Sequence, residues 1–137
     1  MKILGIDYGQ SKIGVAVGNT ETGLAEPIKV FQISNPAWRQ TGFKFQISRI
    51  IEENEVKMIV VGVPGEKMEG EIRQFGRQLE KVTGLSVEYV DETLTTHDAQ
   101  RELIASGRKQ KDRREKEDAI AAAIMLEYYM KGGDRHV

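Results

Sequence analysis

Apolar residues near the start of the chain fall into two short runs. Ile3, Leu4 and Ile6 stop at Asp7, and after Gly9 a second run from Ile13 to Val17 is closed by Gly18 and Asn19. This pattern predicts two strands joined by a tight turn. Pro27 to Ile33 is rich in β-branched and aromatic residues and reads as a third strand, completing an antiparallel meander.

The pattern then changes period. Ser34-Asn35-Pro36 offers a cap and a proline suited to a first helical turn, and Ile47, Ile50 and Ile51 recur at helical spacing, so a helix should end near Asn54. Met58 to Val63 is a continuous apolar run stopped by Pro64-Gly65, as expected of a central strand covered on both faces. Ile72, Phe75, Leu79 and Val82 mark one face of a helix that Gly84 ends, and Leu85 to Val90 forms a further strand leading into Asp91-Glu92. Thr95 or Thr96 is placed to cap a helix through Ile104, closed by Gly107. A last helix should run from about Arg114 to Met130. Strands that alternate with helices after an initial meander imply an α/β fold. Its mixed five-stranded sheet has three antiparallel strands, then two parallel ones, flanked by helices. No repeat or linker divides residues 1–137, so a single domain is expected.

Composition narrows the chemistry. No apolar run approaches the roughly 20 residues of a membrane span, and Asp7 interrupts any leader-like segment, which points to a cytosolic protein. There is no cysteine, so disulfides, thiolate metal sites and thiol nucleophiles are excluded and any metal must be held by oxygen or histidine. A net charge of -1 supplies no global attraction to nucleic acid. Basic residues are nevertheless concentrated: Arg108, Lys109, Lys111, Arg113, Arg114 and Lys116 are opposed locally only by Asp112 and Glu115. This stretch reads as a loop, either solvated or contacting phosphates.

Three acids stand at the ends of predicted elements. Asp7 ends a strand before Gly9, where it could equally bond its own turn. Glu92 follows the last strand directly after Asp91, and because successive strand residues point to opposite faces only one of that pair can face a common site. Asp118 falls in the first turn of the expected last helix, where the helix dipole alone would favour a carboxylate. Below it Ala121, Ala122 and Met125 continue the same side, and small alanines let a helix approach a sheet closely. The topology permits all three to share one edge of the sheet. Clustered carboxylates repel unless a cation neutralises them, and an all-oxygen set suits Mg²⁺ or Mn²⁺. Two such ions about 4 Å apart are the usual equipment of a phosphodiester hydrolase. His97 and His136 lack metal-ligand spacing, and Trp38, Phe43 and Phe45 are expected in the core.

Four segments, GIDYGQSKIGVAVG, Gly62 to Pro64, DETLTTHDA and EDAIAAAIMLEYYM, together resemble the YqgF (RuvX) family over nearly the whole chain. The resemblance implies an RNase H-like fold with catalytic and metal-binding Asp7, Glu92 and Asp118. It also implies a nuclease that either trims the 5′ end of pre-16S ribosomal RNA, in the setting of ribosomal assembly particles, or resolves Holliday junctions. The chain departs from the family pattern at Ser11 and Thr93, where basic residues are usual, leaving Lys12 and the run containing Arg108, Lys109, Lys111, Arg113 and Arg114 as the expected nucleic-acid contacts. Junction resolution would require a homodimer, whereas RNA trimming is compatible with a monomer. Two other classes stay open. The Gly-Ile-Asp-X-Gly opening also resembles the phosphate loop of sugar kinases and heat-shock-protein ATPases, and a non-catalytic nucleic-acid-binding module would use the same fold.

Overall fold

A computed structural model describes residues 1–9, 11–32, 41–65, 68–91 and 110–132, with backbone alone for 41 and 110–115. In chain order the elements are β1 (Lys2–Tyr8), β2 (Lys12–Asn19), β3 (Leu24–Gln32), α1 (Thr41–Asn54), β4 (Val56–Val63), α2 (Glu69–Thr83), β5 (Val87–Asp91) and α3 (Gln110–Met130). The strands form one sheet in the order β3-β2-β1-β4-β5. β1–β2 and β2–β3 pair antiparallel, β1–β4 and β4–β5 parallel. The mixed sheet expected from the sequence is therefore present.

Side-chain alternation along the strands gives each face its own partner. Leu4, Ile6 and Tyr8 of β1, Ile13, Val15 and Val17 of β2 and Ile59, Val61 and Val63 of β4 pack with Phe43, Ile47 and Ile50 of α1 and Ile72, Phe75 and Leu79 of α2. Each fully buried side chain of this size contributes about 1.5–3 kcal/mol, making this face the main source of stability. The opposite face meets α3: Ile3, Val60 and Val90 pack on Met125, Leu126 and Tyr129, while Ala16 meets Ala122 and Ala123. Gly84 closes α2 in the left-handed conformation at φ 71°, as its position after the apolar stripe predicted.

Several boundaries differ from expectation. β3 begins at Leu24, before Pro27, because it is an edge strand whose first residues need no apolar pattern. β4 starts two residues before Met58, at Val56. α3 starts at Gln110 rather than near Arg114, so residues 110–116 are helical, not a loop. Asp118 consequently lies in the third turn, beyond the first-turn reach of the helix dipole. Phe43 is buried and packs edge-on against Phe31 at 5.2 Å, but Phe45 is 68% exposed and does not belong to the core. The expected helix from Thr95 to Ile104, and Trp38, Glu92, His97 and His136, lie outside the described residues.

The outer strand β3 is interrupted twice. Pro27 lies within it, and its register with β2 shifts between Val15 and Ala16. The Ala25 N–H donates to the Glu127 carboxylate of α3 at 2.9 Å. Among the described residues no helix is long and apolar enough to cross a membrane.

Candidate active site

Asp7 is the next-to-last residue of β1 and is half-buried. It pairs with Gly14 on β2 and Gly62 on β4. Continuing outward, Gly14 pairs with Val30 and Gly62 with Val90. Paired residues share a face, so Asp7 lies on the side covered by α3, with a glycine on either hand and no side chain beside its carboxylate in that row.

A Cβ built on Gly14 would lie 2.0 Å from the backbone carbonyl oxygen of Asp118 and 2.7 Å from the Ala119 nitrogen. The α3 backbone thus rests directly on the sheet at the position paired with Asp7. This close approach continues along the helix, for a Cβ on Gly5 or Gly18 would meet Leu126 at 3.0 Å or 2.9 Å. Gly14, Ala16 and Gly18 form the floor and Ala119, Ala122 and Ala123 the underside of the helix. Of the inward set expected from the sequence, Ala122 and Met125 are buried but Ala121 is only half-buried, and Ala119, Ala123 and Gly14 are not among it; the small-residue alternation Gly14-Ala16-Gly18 is the signal that marks Gly14. Toward its N-terminus α3 runs a further eight residues or so before Asp118, about 12 Å at helical rise, and so projects past the start of β2.

Of the acids expected together, Asp7 meets Gly14 through strand pairing and Asp118 meets it through its backbone. Glu92 follows β5 and lies outside the described residues. Asp91 pairs with Val63, whose side chain belongs to the α1–α2 face, and so points away from Asp7. Among the described residues, no three acidic or histidine side chains are grouped closely enough to hold a metal ion.

The expected basic contacts divide in the same way. Lys12 is exposed, two residues before Gly14 and therefore on the Asp7 face. Lys111, Arg113 and Arg114 lie on the helical N-terminal portion of α3, where the backbone alone is described, and Lys116 is exposed. Arg108 and Lys109 lie outside the described residues.

Beneath the site, on the opposite face, Tyr8 is buried against Phe75, with ring centroids 4.7 Å apart, and its hydroxyl donates to Glu71 Oε1 at 3.1 Å. Burial first, then the hydrogen bond to and charge of Glu71, push the Tyr8 hydroxyl well above the ordinary tyrosine range. Tyr89 of β5 lies under the Arg73 guanidinium at 4.7 Å, and its hydroxyl fills the space over Gly76. A separate cavity of about 210 Å³ lies at the far end of the sheet, lined by Lys2, Asn19, Glu26 and Asn54, away from Asp7.

A mixed sheet in this order, with an acid on its first strand and a long helix resting beside that acid, defines an RNase H-like fold. Solved structures agree. The chain is similar to "T. thermophilus RuvC in complex with Holliday junction substrate", with a TM-score of 0.62, 19% identity and 99% of both chains covered. It is also similar to the Fowlpox virus resolvase bound to Holliday junction DNA, with a TM-score of 0.60, 15% identity and 96% and 98% coverage. Residues 1–132 match the family model described as "RuvX: Holliday junction resolvase", and the chain belongs to that family. Among curated relatives it is 37% identical over 138 residues to the "Putative pre-16S rRNA nuclease" of Agathobacter rectalis, covering 95% of this chain and 94% of the relative. It is 36% identical over 136 residues to the protein of that name from Pseudomonas aeruginosa, with 93% and 90% coverage.

Proposed function

We propose that this chain is a metal-dependent nuclease that cleaves phosphodiester bonds in structured nucleic acid, with the 5′ end of pre-16S ribosomal RNA as its substrate. The observation that carries this reading is the seating of the Asp118 backbone on Gly14, the residue paired with Asp7. That contact brings the backbone of Asp118 to the strand residue next to Asp7, in a fold shared with junction resolvases, which supports a joint role for the two acids.

Asp7, Glu92 and Asp118 are the residues that would hold Mg²⁺ or Mn²⁺. Their carboxylate oxygens are hard donors, and the glycines flanking Asp7 leave its side chain room on the helix side. When bound, divalent ions supply Lewis acidity and favour the ionised form of water. The work of this chain's own residues is to fix position. β1 holds Asp7, the Gly14 contact fixes the depth of α3 and hence of Asp118, and the sheet prevents either from drifting. Lys12 and the basic stretch Arg108, Lys109, Lys111, Arg113 and Arg114 would contact phosphates, providing local attraction that a net charge of -1 does not. Ribosomal assembly particles would supply further affinity, in the bacterial cytoplasm.

A Holliday junction is the second reading, favoured by the family's description and by the two resolvase complexes that share the fold. The test is cleavage of a precursor 16S fragment and a four-way DNA junction, side by side, in Mg²⁺ or Mn²⁺, by wild type and Asp7→Asn. RNA cutting that the mutant loses supports the first reading, and junction cutting that it loses supports the second. Folded protein that cuts neither substrate, alone or within assembly particles, would make the chain a binding module.

A further inference from the structure

The outer side of α1 carries an aromatic ring among cations. Phe45 lies on the helix face away from the inward stripe of Phe43, Ile47 and Ile50, and is exposed. A helical side chain leans over the preceding turn, which here holds Gly42, where a Cβ would stand in open space. No side chain at that position screens the ring. Arg49 follows one turn further on the same side, and its ion pair with Glu53 is open to water at both partners. Such exposed pairs contribute little, so the guanidinium is free to take another anion. From the neighbouring strand β3, the Lys29 ammonium donates to Gln46, the residue after Phe45, at 2.6 Å and is in no ion pair among the described residues. The acids on this side, Glu52 and Glu53, lie in the later turns of α1. Phe43 packs on Phe31, which pairs with Ile13 beside Gly14, so the patch lies toward the end of the sheet that carries Asp7, on the side away from α3.

We propose that Phe45, Lys29 and Arg49 form a second contact for nucleic acid, in which the Phe45 ring stacks on an unpaired base and the two cations hold its flanking phosphates. The assignment follows from side-chain chemistry. Every base has a flat π face, so an exposed ring accepts it whatever the sequence, and cations beside the ring neutralise the backbone without reading it. A protein surface covering the same ring would have to desolvate Lys29 and Arg49 with it, and charged residues are depleted at the centre of protein interfaces. The bases of a duplex are already stacked on each other, so the occupant is a single strand. The inference rests on the reading that this chain acts on nucleic acid, and it adds that the substrate includes an unpaired segment.

Fluorescence anisotropy of a labelled oligouridine of about 12 nucleotides, and of an abasic strand of equal charge, tests it. The parent is the Asp7→Asn chain, titrated from about 50 to 200 mM KCl. Phe45→Ala should weaken oligouridine binding about tenfold with the salt slope unchanged. It should leave the abasic strand at parental affinity, and Phe45→Trp should restore oligouridine binding. Lys29→Ala and Arg49→Ala should each lower the slope by about 0.7, one phosphate contact on a single strand. Lys57→Ala, at an exposed lysine near the start of β4, should leave the slope unchanged. Parental affinity in Phe45→Ala, an equal loss on the abasic strand, unchanged slopes in both cation variants, an equal effect of Lys57→Ala, or no binding by the parent would each overturn the contact. So would self-association that Phe45→Ala abolishes while oligouridine binding is intact, since the ring would then belong to a second copy. Cleavage by the wild-type chain is scored separately. Asp7-dependent cutting with binding indifferent to Phe45 would sink this inference and leave the nuclease reading intact, whereas Phe45-dependent binding without cutting would support the contact and sink that reading.

Discussion

The backbone carbonyl oxygen of Asp118 occupies the space a side chain on Gly14 would need, 2.0 Å from where its Cβ would stand. Because the blocking atom belongs to a helix backbone, no rotamer change relieves the clash. Gly14→Ala should destabilise the fold by about 1–3 kcal/mol and lift α3 off the sheet. Denaturant unfolding would measure the first effect. The second should lower cleavage at temperatures where the variant is still folded, and full activity there would show that α3 depth does not govern the site.

Removing charge at Asp7 separates chemistry from folding. Asp7→Asn keeps the shape of the side chain between Gly14 and Gly62, so the circular dichroism spectrum should be retained. Loss of several kcal/mol of transition-state stabilisation corresponds to a fall in rate on the order of 100-fold or more. Wild-type protein treated with a chelator should lose activity likewise and regain it on addition of Mg²⁺ or Mn²⁺. Activity that persists in chelator would rule out the metal mechanism.

Tyr8 predicts a limit to alkaline stability. Its hydroxyl titrates above the normal tyrosine value because burial and Glu71 disfavour the phenolate. The unfolded chain therefore releases this proton first as pH rises. The stabilisation is complete below about pH 10 and is lost as pH climbs through the folded value. Tyr8→Phe should cost about 1 kcal/mol at neutral pH through the lost hydrogen bond. Its stability should also fall less steeply above pH 10, as pH-dependent thermal melts would reveal.

Glu55 turns the chain from α1 into β4 with φ at 55°, the one non-glycine residue in the left-handed region among those described. Glutamate is poorly suited to that conformation, and asparagine tolerates it. Glu55→Asn should raise stability by about 0.5 kcal/mol, seen as a higher denaturation midpoint with an unchanged slope.

Legibility in the sequence tracked burial. The run through Ile59, Val60 and Val61 revealed β4 because a strand covered on both faces must be apolar throughout. Asp7 stood out because it broke such a pattern at its end. The start of α3 was hidden for the converse reason: residues 110–114, Gln-Lys-Asp-Arg-Arg, carry no apolar period from which a helix could be read. Reading that stretch as a loop followed directly, as did placing Asp118 in a first turn. Phe45 misled in the other direction, since it stands two residues from Phe43 and so points well away from the inward stripe of Phe43, Ile47 and Ile50.

The treatment of β3 bears on how this chain behaves in a crowded cell. An outer strand invites a second chain to add to it, and continued addition leads to aggregates. Here Glu127 takes the Ala25 donor, Pro27 has none to offer, and the register shift next to it bends the ladder. The same helix whose Asp118 backbone rests on Gly14 thus closes part of the sheet's edge, so loosening α3 would open the molecule to self-association as well as disturb the packing over β2.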